Sequence, residues 1–125
     1  LFSALCDAER NQEVRLACVR YFMTNPFEAA ADPLREMAGS RKPGEWELAS
    51  VAASALASYP GQETVAVLKG MLSSPIWYVR FNAAKSLYSL GLSIEGDLSD
   101  VMDGDDRYAK EMLLYRWRLE EGEVA

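Results

Sequence analysis

Histidine is absent from this 125-residue chain, cysteine occurs twice, and nothing in it resembles a long apolar run. Without imidazole there is no serine or cysteine triad of the usual sort, and no nitrogen ligand for zinc or iron. Cys6 and Cys18 stand twelve positions apart, which matches no zinc spacing. Their expected role is that of small buried hydrophobes in a reducing compartment, with a disulfide between neighbouring helices as the alternative. The longest stretch free of charge, Leu48 to Gln62, is diluted by Ser50, Ser54 and Ser58 and broken by Pro60, so it cannot span a bilayer. The eight glycines are scattered at segment ends and form no phosphate cradle. The chain opens on LFSALCDAER, without methionine and without the basic, apolar and small-residue regions of a signal peptide. It is therefore expected to be an excerpt of a longer protein.

What is present is ordinary for a globular domain: half the residues are hydrophobic and 26% are charged. A chain of this length suits a single domain able to bury a core. Its net charge of −6 repels phosphate backbones and anionic membranes, which disfavours nucleic acid.

Periodicity is helical throughout, and no alternating β-branched run predicts a strand. Breaks fall at Asn11, at TNP (24–26), GSRKPG (39–44), YPG (59–61), SSP (73–75), GLS (91–93) and DGDD (103–106). About eight helices of roughly 8 to 16 residues are expected between them. Asn25 before Pro26, and Asp105 or Asp106 before Tyr108, are the expected N-caps.

Four segments then superimpose without gaps: EVRLACVRYF, ELASVAASAL, YVRFNAAKSL and YAKEMLLYRW. Val14, Leu48, Val79 and Ala109 share one place, and Cys18, Ala52, Ala83 and Leu113 another. Val19, Ala53, Ala84 and Leu114 follow, then Phe22, Leu56, Leu87 and Trp117. The first set is spaced by 34, 31 and 30 residues. Self-similarity at this period predicts an all-α solenoid of about four antiparallel helix pairs, in units of roughly 1–24, 25–59, 60–91 and 92–122. In the third unit Ile76, Trp77, Val79, Phe81, Ala83, Ala84, Leu87, Tyr88 and Leu90 cover an arc of about 200°, as a helix flanked by two neighbouring units would.

The stretch VLKGMLSSPIWYVRFNAAKSLYSLG (67–91) resembles a HEAT repeat of the bacterial, phycobilin-lyase-associated type, and DAERNQEVRLACVRYF (7–22) is similar more loosely. The resemblance implies stacked helix pairs along the whole chain and says little of activity. It also implies structural roles for Arg15 and Arg80, each packed inside the layer and bonded to a turn acid and to backbone carbonyls. Here Ser74 and Glu9 stand where that acid is usually aspartate, and Ala49 and Lys110 replace the arginine in the second and fourth units. Dinuclear-iron hydroxylases built from HEAT-like repeats need histidine and glutamate dyads, and this chain has no histidine.

The acid-rich segment holding Glu95, Asp97, Asp100, Asp103, Asp105 and Asp106 fails as a calcium loop. With Gly104 at the sixth position, Ser99, Val101 and Lys110 fall at the first, third and twelfth. Caps and dipole partners are the expected roles, with Asp106 and Lys110 at favourable i,i+4 spacing. Glu45 and Glu47 diverge by about 200° on a helix and serve its first turn rather than acid–base chemistry.

The residues opposite the apolar arc are Glu13, Arg20 and Tyr21, then Glu47, Ser54 and Ser58, then Tyr78, Asn82, Lys85 and Ser89, then Tyr108, Met112, Tyr115 and Arg116. Aromatic side chains beside cations are what interfaces favour. The expected partner contacts are Tyr78, Asn82, Lys85, Tyr108, Met112 and Tyr115. The expected function is a non-catalytic protein- or peptide-binding scaffold in the cytoplasm, alone or as part of a larger protein, with no cofactor, metal, nucleic acid or membrane contact of its own. Two alternatives stay open: an enzyme accessory or phycobilin-lyase-like protein, and a nucleic-acid-binding HEAT-like protein.

Overall fold

The computed structural model describes residues 2–7 and 11–122, apart from the side chain of Cys6. Among them there are eight α-helices packed against one another and no strand. These are α1 (Phe2–Cys6), α2 (Gln12–Thr24), α3 (Ala31–Ala38), α4 (Trp46–Ala55), α5 (Gln62–Met71), α6 (Trp77–Ser89), α7 (Ser99–Met102) and α8 (Arg107–Glu120). Short 3₁₀ turns precede α3 and extend α4. Every break expected from the sequence falls between helices or, at 24–26, starts on the last residue of α2, Thr24.

Two expectations about helix ends are corrected. Asn25 does not start a helix; it closes α2, with its Nδ2 donating to the Tyr21 carbonyl at 3.1 Å. The chain then runs extended through Phe27 before it turns into α3. The seventh helix is four residues rather than eight or more. Side chains compete for the backbone just before it: Ser93 Oγ accepts from the N–H groups of Gly96 and Asp97, and Asp97 accepts from the Ser93 N–H. Helix α1, at five residues, is also shorter than expected. The caps of α2 and α8 follow the usual chemistry. Asn11 accepts from the Glu13 N–H at 2.7 Å, and Asp106 accepts from the Ala109 N–H at 3.0 Å. Gly91, at φ 79°, supplies the left-handed residue that ends α6.

Even-numbered helices form one row, in which α4 packs against α2 and α6, and α6 packs against α8. Hydrogen bonds fix their direction. Gln12 reaches the Gly44 carbonyl near the starts of α2 and α4, and Ser58 reaches the Met23 carbonyl at their far ends. Ser50 donates to the Tyr78 carbonyl, and Ser86 donates to the Ala53 carbonyl at 2.6 Å. The two pairs of helices therefore run parallel. The odd-numbered helices pack between and beside them: α3 against α4 and α5, and α5 against α6. Arg35 ties α3 to Thr64 and Glu63, and Lys69 ties α5 to Asp100. Side-chain hydrogen bonds between the four sequence units join residues from 28 to 37 positions apart, about one sequence period, whereas Arg15 of α2 reaches Leu5 of α1 ten positions away.

Small residues allow the row to close up. Ala52, Ala53, Ala83 and Ala84 have no more accessible surface than the leucines beside them, all at 0%. Leu34, Leu56, Leu68, Leu72, Leu87, Leu98 and Leu113 complete the core, and each fully buried leucine contributes about 1.5–3 kcal/mol. Val14 departs from its aligned partners. It is 41% exposed.

Candidate partner-binding surface

Helices α4 and α6 both begin with tryptophan, and Trp46 and Trp77 lie 31 residues apart in sequence. Tyr78 and Tyr108 are the second residues of α6 and α8. Because these helices lie side by side and parallel, their first turns bring the four rings to one edge of the row. Trp46 stacks against Tyr78, with centroids 6.2 Å apart. Trp77 meets Tyr78 edge-on at 5.3 Å and stacks on Phe81 at 4.7 Å. Long side chains lean toward the helix N-terminus, so Phe81 comes back over Trp77 one turn earlier. The Arg116 guanidinium lies 4.6 Å from the Phe81 ring, and that of Arg80 lies 5.4 Å from the ring of Tyr108. Trp46, Trp77, Tyr78 and Tyr108 remain open to solvent, as does Tyr115 two turns further along α8. Trp77, Arg80, Tyr108, Glu111, Met112 and Tyr115 line a cavity of about 400 Å³.

The expected contact residues separate into two groups. Tyr78, Tyr108 and Tyr115 are exposed on this strip, and Lys85 is exposed further along α6. Asn82 is half-buried and donates to Ser50 Oγ, so it joins α4 to α6. Met112 is 6% exposed and forms part of the cavity floor.

Three placements on the helical wheel are corrected, the first being Met112, which was expected on the open face and is buried in the core. Trp77, expected inside the apolar arc, is 46% exposed, since at the first position of α6 it sits at the edge of the row. Arg116, expected on the open face, is 5% exposed. It falls in the buried stripe Ala109, Met112, Leu113, Arg116 and Trp117, with its guanidinium over Phe81 of α6 and its Nη1 paired to Glu120 Oε1 at 2.6 Å. Trp46, Trp77, Phe81 and Arg116 were thus missing from the contact set. The signal for Trp46 and Trp77 was the recurrence of tryptophan at one repeat spacing.

Arg15 and Arg80 both donate to main-chain carbonyls of the preceding segment. Arg15 Nε and Nη2 reach the Leu5 carbonyl at 3.4 Å, and Arg80 Nη1 reaches that of Ser74 at 2.8 Å. The proposed turn acid of the first unit, Glu9, lies outside the described residues. In the third unit Ser74 offers its carbonyl to Arg80, while its hydroxyl accepts from the Ile76 N–H. Nε of Arg80 and of Arg116 is buried without a partner.

The acidic segment is divided among separate tasks. Lys69 pairs with Asp100 at 3.0 Å and, chiefly through that hydrogen bond, holds its carboxyl below the ordinary 3.8. Asp106 is also lowered, first by the Ser73 hydroxyl at 2.7 Å and next by the Ala109 N–H. It thus turns toward Ser73 rather than toward Lys110, the expected partner. Arg107 pairs instead with Glu111 at 2.8 Å, which raises the pKa of the guanidinium. Among the described residues no three Asp, Glu, His or Cys side chains gather as a metal ion requires. Cys18 is a free thiol, 1% exposed within the core. No helix among the described residues is long and apolar enough to cross a membrane.

Comparison with protein-family models, with curated proteins and with solved structures finds no match.

Proposed function

We propose that the protein is a HEAT-like α-solenoid of about four helix pairs that acts as a non-catalytic interaction module, holding a peptide or protein partner on the wall formed by α4, α6 and α8. The exposed aromatic strip running from Trp46 to Tyr115 carries this reading. Large rings left in water on neighbouring helices cost the isolated fold apolar burial, and interfaces recover it: tyrosine, tryptophan and arginine are the residues that dominate binding energy. The solenoid part is supported by the hydrogen bonds between neighbouring units, which span about one period each, as expected when a unit touches only the next.

Selection of binders from a displayed random peptide library tests the proposal. Clones enriched on the wild-type protein should lose about tenfold or more in affinity on a Tyr78→Ala/Tyr108→Ala variant. Binders that hold both proteins equally would place the binding surface elsewhere.

A further inference from the structure

The four even-numbered helices are equivalent in sequence but not in what covers them. In α6, Asn82 and Ser86 reach back to Ser50 and to the Ala53 carbonyl of α4, and in α8 Arg116 lies over Phe81 of α6. These positions therefore mark the face that each helix turns toward the one before it. On that face Ala55, Ser86 and Arg116 occupy one place and are buried, while Tyr21, their counterpart in α2, is 44% exposed. One turn earlier Val51, Asn82 and Met112 are half-buried or buried, and Ala17 is exposed. At the next place Leu48, Val79 and Ala109 are buried, and Val14 is exposed.

The opposite end of the row is finished differently. Where α6 turns Phe81 toward α8, the equivalent residue of α8 is Glu111, exposed and paired with Arg107. A terminal unit needs a polar outer face of this kind. The outer face of α2 is apolar instead: Val14, Ala17 and Tyr21 stand at i, i+3 and i+7, one continuous stripe. The Tyr21 ring meets that of Phe22, which stacks on the exposed Phe27 and prolongs the patch past the end of the helix. An uncovered apolar patch marks an interaction surface.

The charges beside the stripe identify what covers it. Glu13 and Arg20 lie seven residues apart on the same flank, both exposed and neither in an ion pair among the described residues. Two α2 helices packed antiparallel about a two-fold axis bring each flank against the same flank of the other copy. The midpoint of Val14 and Tyr21 and that of Glu13 and Arg20 both fall within about half a residue of Ala17, or less than 1 Å along the helix. One axis at Ala17 thus sets Val14 against the partner's Tyr21 and Glu13 beside the partner's Arg20, twice over by symmetry. The smallest side chain of the stripe sits at the crossing, where packed helices come within about 8–10 Å. Head-to-tail packing would instead press the stripe on Arg107 and Glu111 of α8, apolar surface against charge.

We infer that α2 is the interface of a two-fold dimer of this chain, held by Val14, Ala17 and Tyr21 and put in register by two Glu13–Arg20 pairs. The contact is confined to one end of the row, so the aromatic strip on α4, α6 and α8 stays open to other partners. One short stripe per copy is small beside a standard interface of about 1,600 Å², so the dimer is reversible.

Exchanging the charges tests the inference. Sedimentation equilibrium of the wild-type protein over about a hundredfold range of concentration should show monomer and dimer in exchange. Glu13→Arg and Arg20→Glu each set like charges face to face at both ends of the interface, and each should weaken dimerisation about tenfold or more. Both replacements are exposed and keep good helix formers, so the fold is unaffected. Mixing the two single variants restores both opposite-charge pairs in a heterodimer, and the double variant Glu13→Arg/Arg20→Glu restores them in a homodimer. Each of these should associate about as tightly as the wild type. A wild-type protein that stays monomeric throughout would give the stripe to another occupant and overturn the inference. So would a series of species beyond the dimer, which head-to-tail packing produces, or a dimer that neither single variant weakens. Weakened single variants without recovery, either on mixing or in the double variant, would overturn the antiparallel pairing on which it stands.

Discussion

The hydroxyl of Tyr59 donates to the Phe22 carbonyl at 2.7 Å and accepts from the Phe27 N–H at 3.1 Å, so one buried side chain spans the junction between the end of α2 and the chain entering α3. Tyr59→Phe removes both bonds and leaves the ring in place. Stranding the buried Phe22 carbonyl, together with the part-buried Phe27 N–H, costs about 1–3 kcal/mol. The urea midpoint should fall by the corresponding amount with an unchanged slope, as monitored by circular dichroism.

The contact between α4 and α6 leaves no room for a larger side chain. Ala53 is fully buried, and its carbonyl lies 2.6 Å from Ser86 Oγ. Ala53→Leu should cost about 1–3 kcal/mol or more through overpacking. Ala66→Leu, on the exposed side of α5, should stay within about 0.5 kcal/mol. Equal effects of the two would contradict the close approach of these helices.

Much of this arrangement was legible in the sequence. Glycine, proline and serine clusters mark the helix ends because they interrupt helical hydrogen bonding or supply turn geometry. The alanine pairs mark the close contact because only small side chains let backbones approach. The wheel misplaced Arg116 because it scores a charged head as solvent-seeking, whereas here the guanidinium itself is buried over Phe81 and paired with Glu120. Trp77 was misplaced for the opposite reason: its hydrophobicity is real, but a first-turn position lies at the edge of the row, where no neighbouring helix covers it. The shortness of α7 depended on Ser93 and Asp97 folding onto their own backbone, a local competition that periodicity does not record.

Asp106 caps α8 and accepts from Ser73, so Asp106→Ala should cost about 0.5–2 kcal/mol near neutral pH. The carboxyl titrates below its ordinary 3.8 in the folded protein. Its contribution is therefore complete above the unfolded value and is lost as pH falls through the lower, folded value. Thermal melts between pH 6 and 3, chosen to bracket the ordinary value of about 3.9, should show a shallower acid loss for the variant than for the wild type. Identical slopes would mean that the carboxylate makes no such interaction.

The tryptophans should separate stability from surface. Trp117→Ala removes a core ring and should destabilise by about 3–5 kcal/mol. Trp46→Ala, with its ring 38% exposed and its contact to Tyr78 the only aromatic one it makes among the described residues, should cost about 1 kcal/mol or less. Chemical denaturation of both variants gives the comparison directly.

The most direct test of the aromatic strip as a binding surface is the melting temperature and peptide affinity of Tyr78→Ala/Tyr108→Ala, measured side by side on the same preparation. The two rings are 59% and 66% exposed, so the melt should move by only a few degrees, about what 1 kcal/mol produces, while affinity drops about tenfold or more. A collapsed melting transition would make these rings part of the core, and retained affinity on an intact fold would leave the strip without a role in binding.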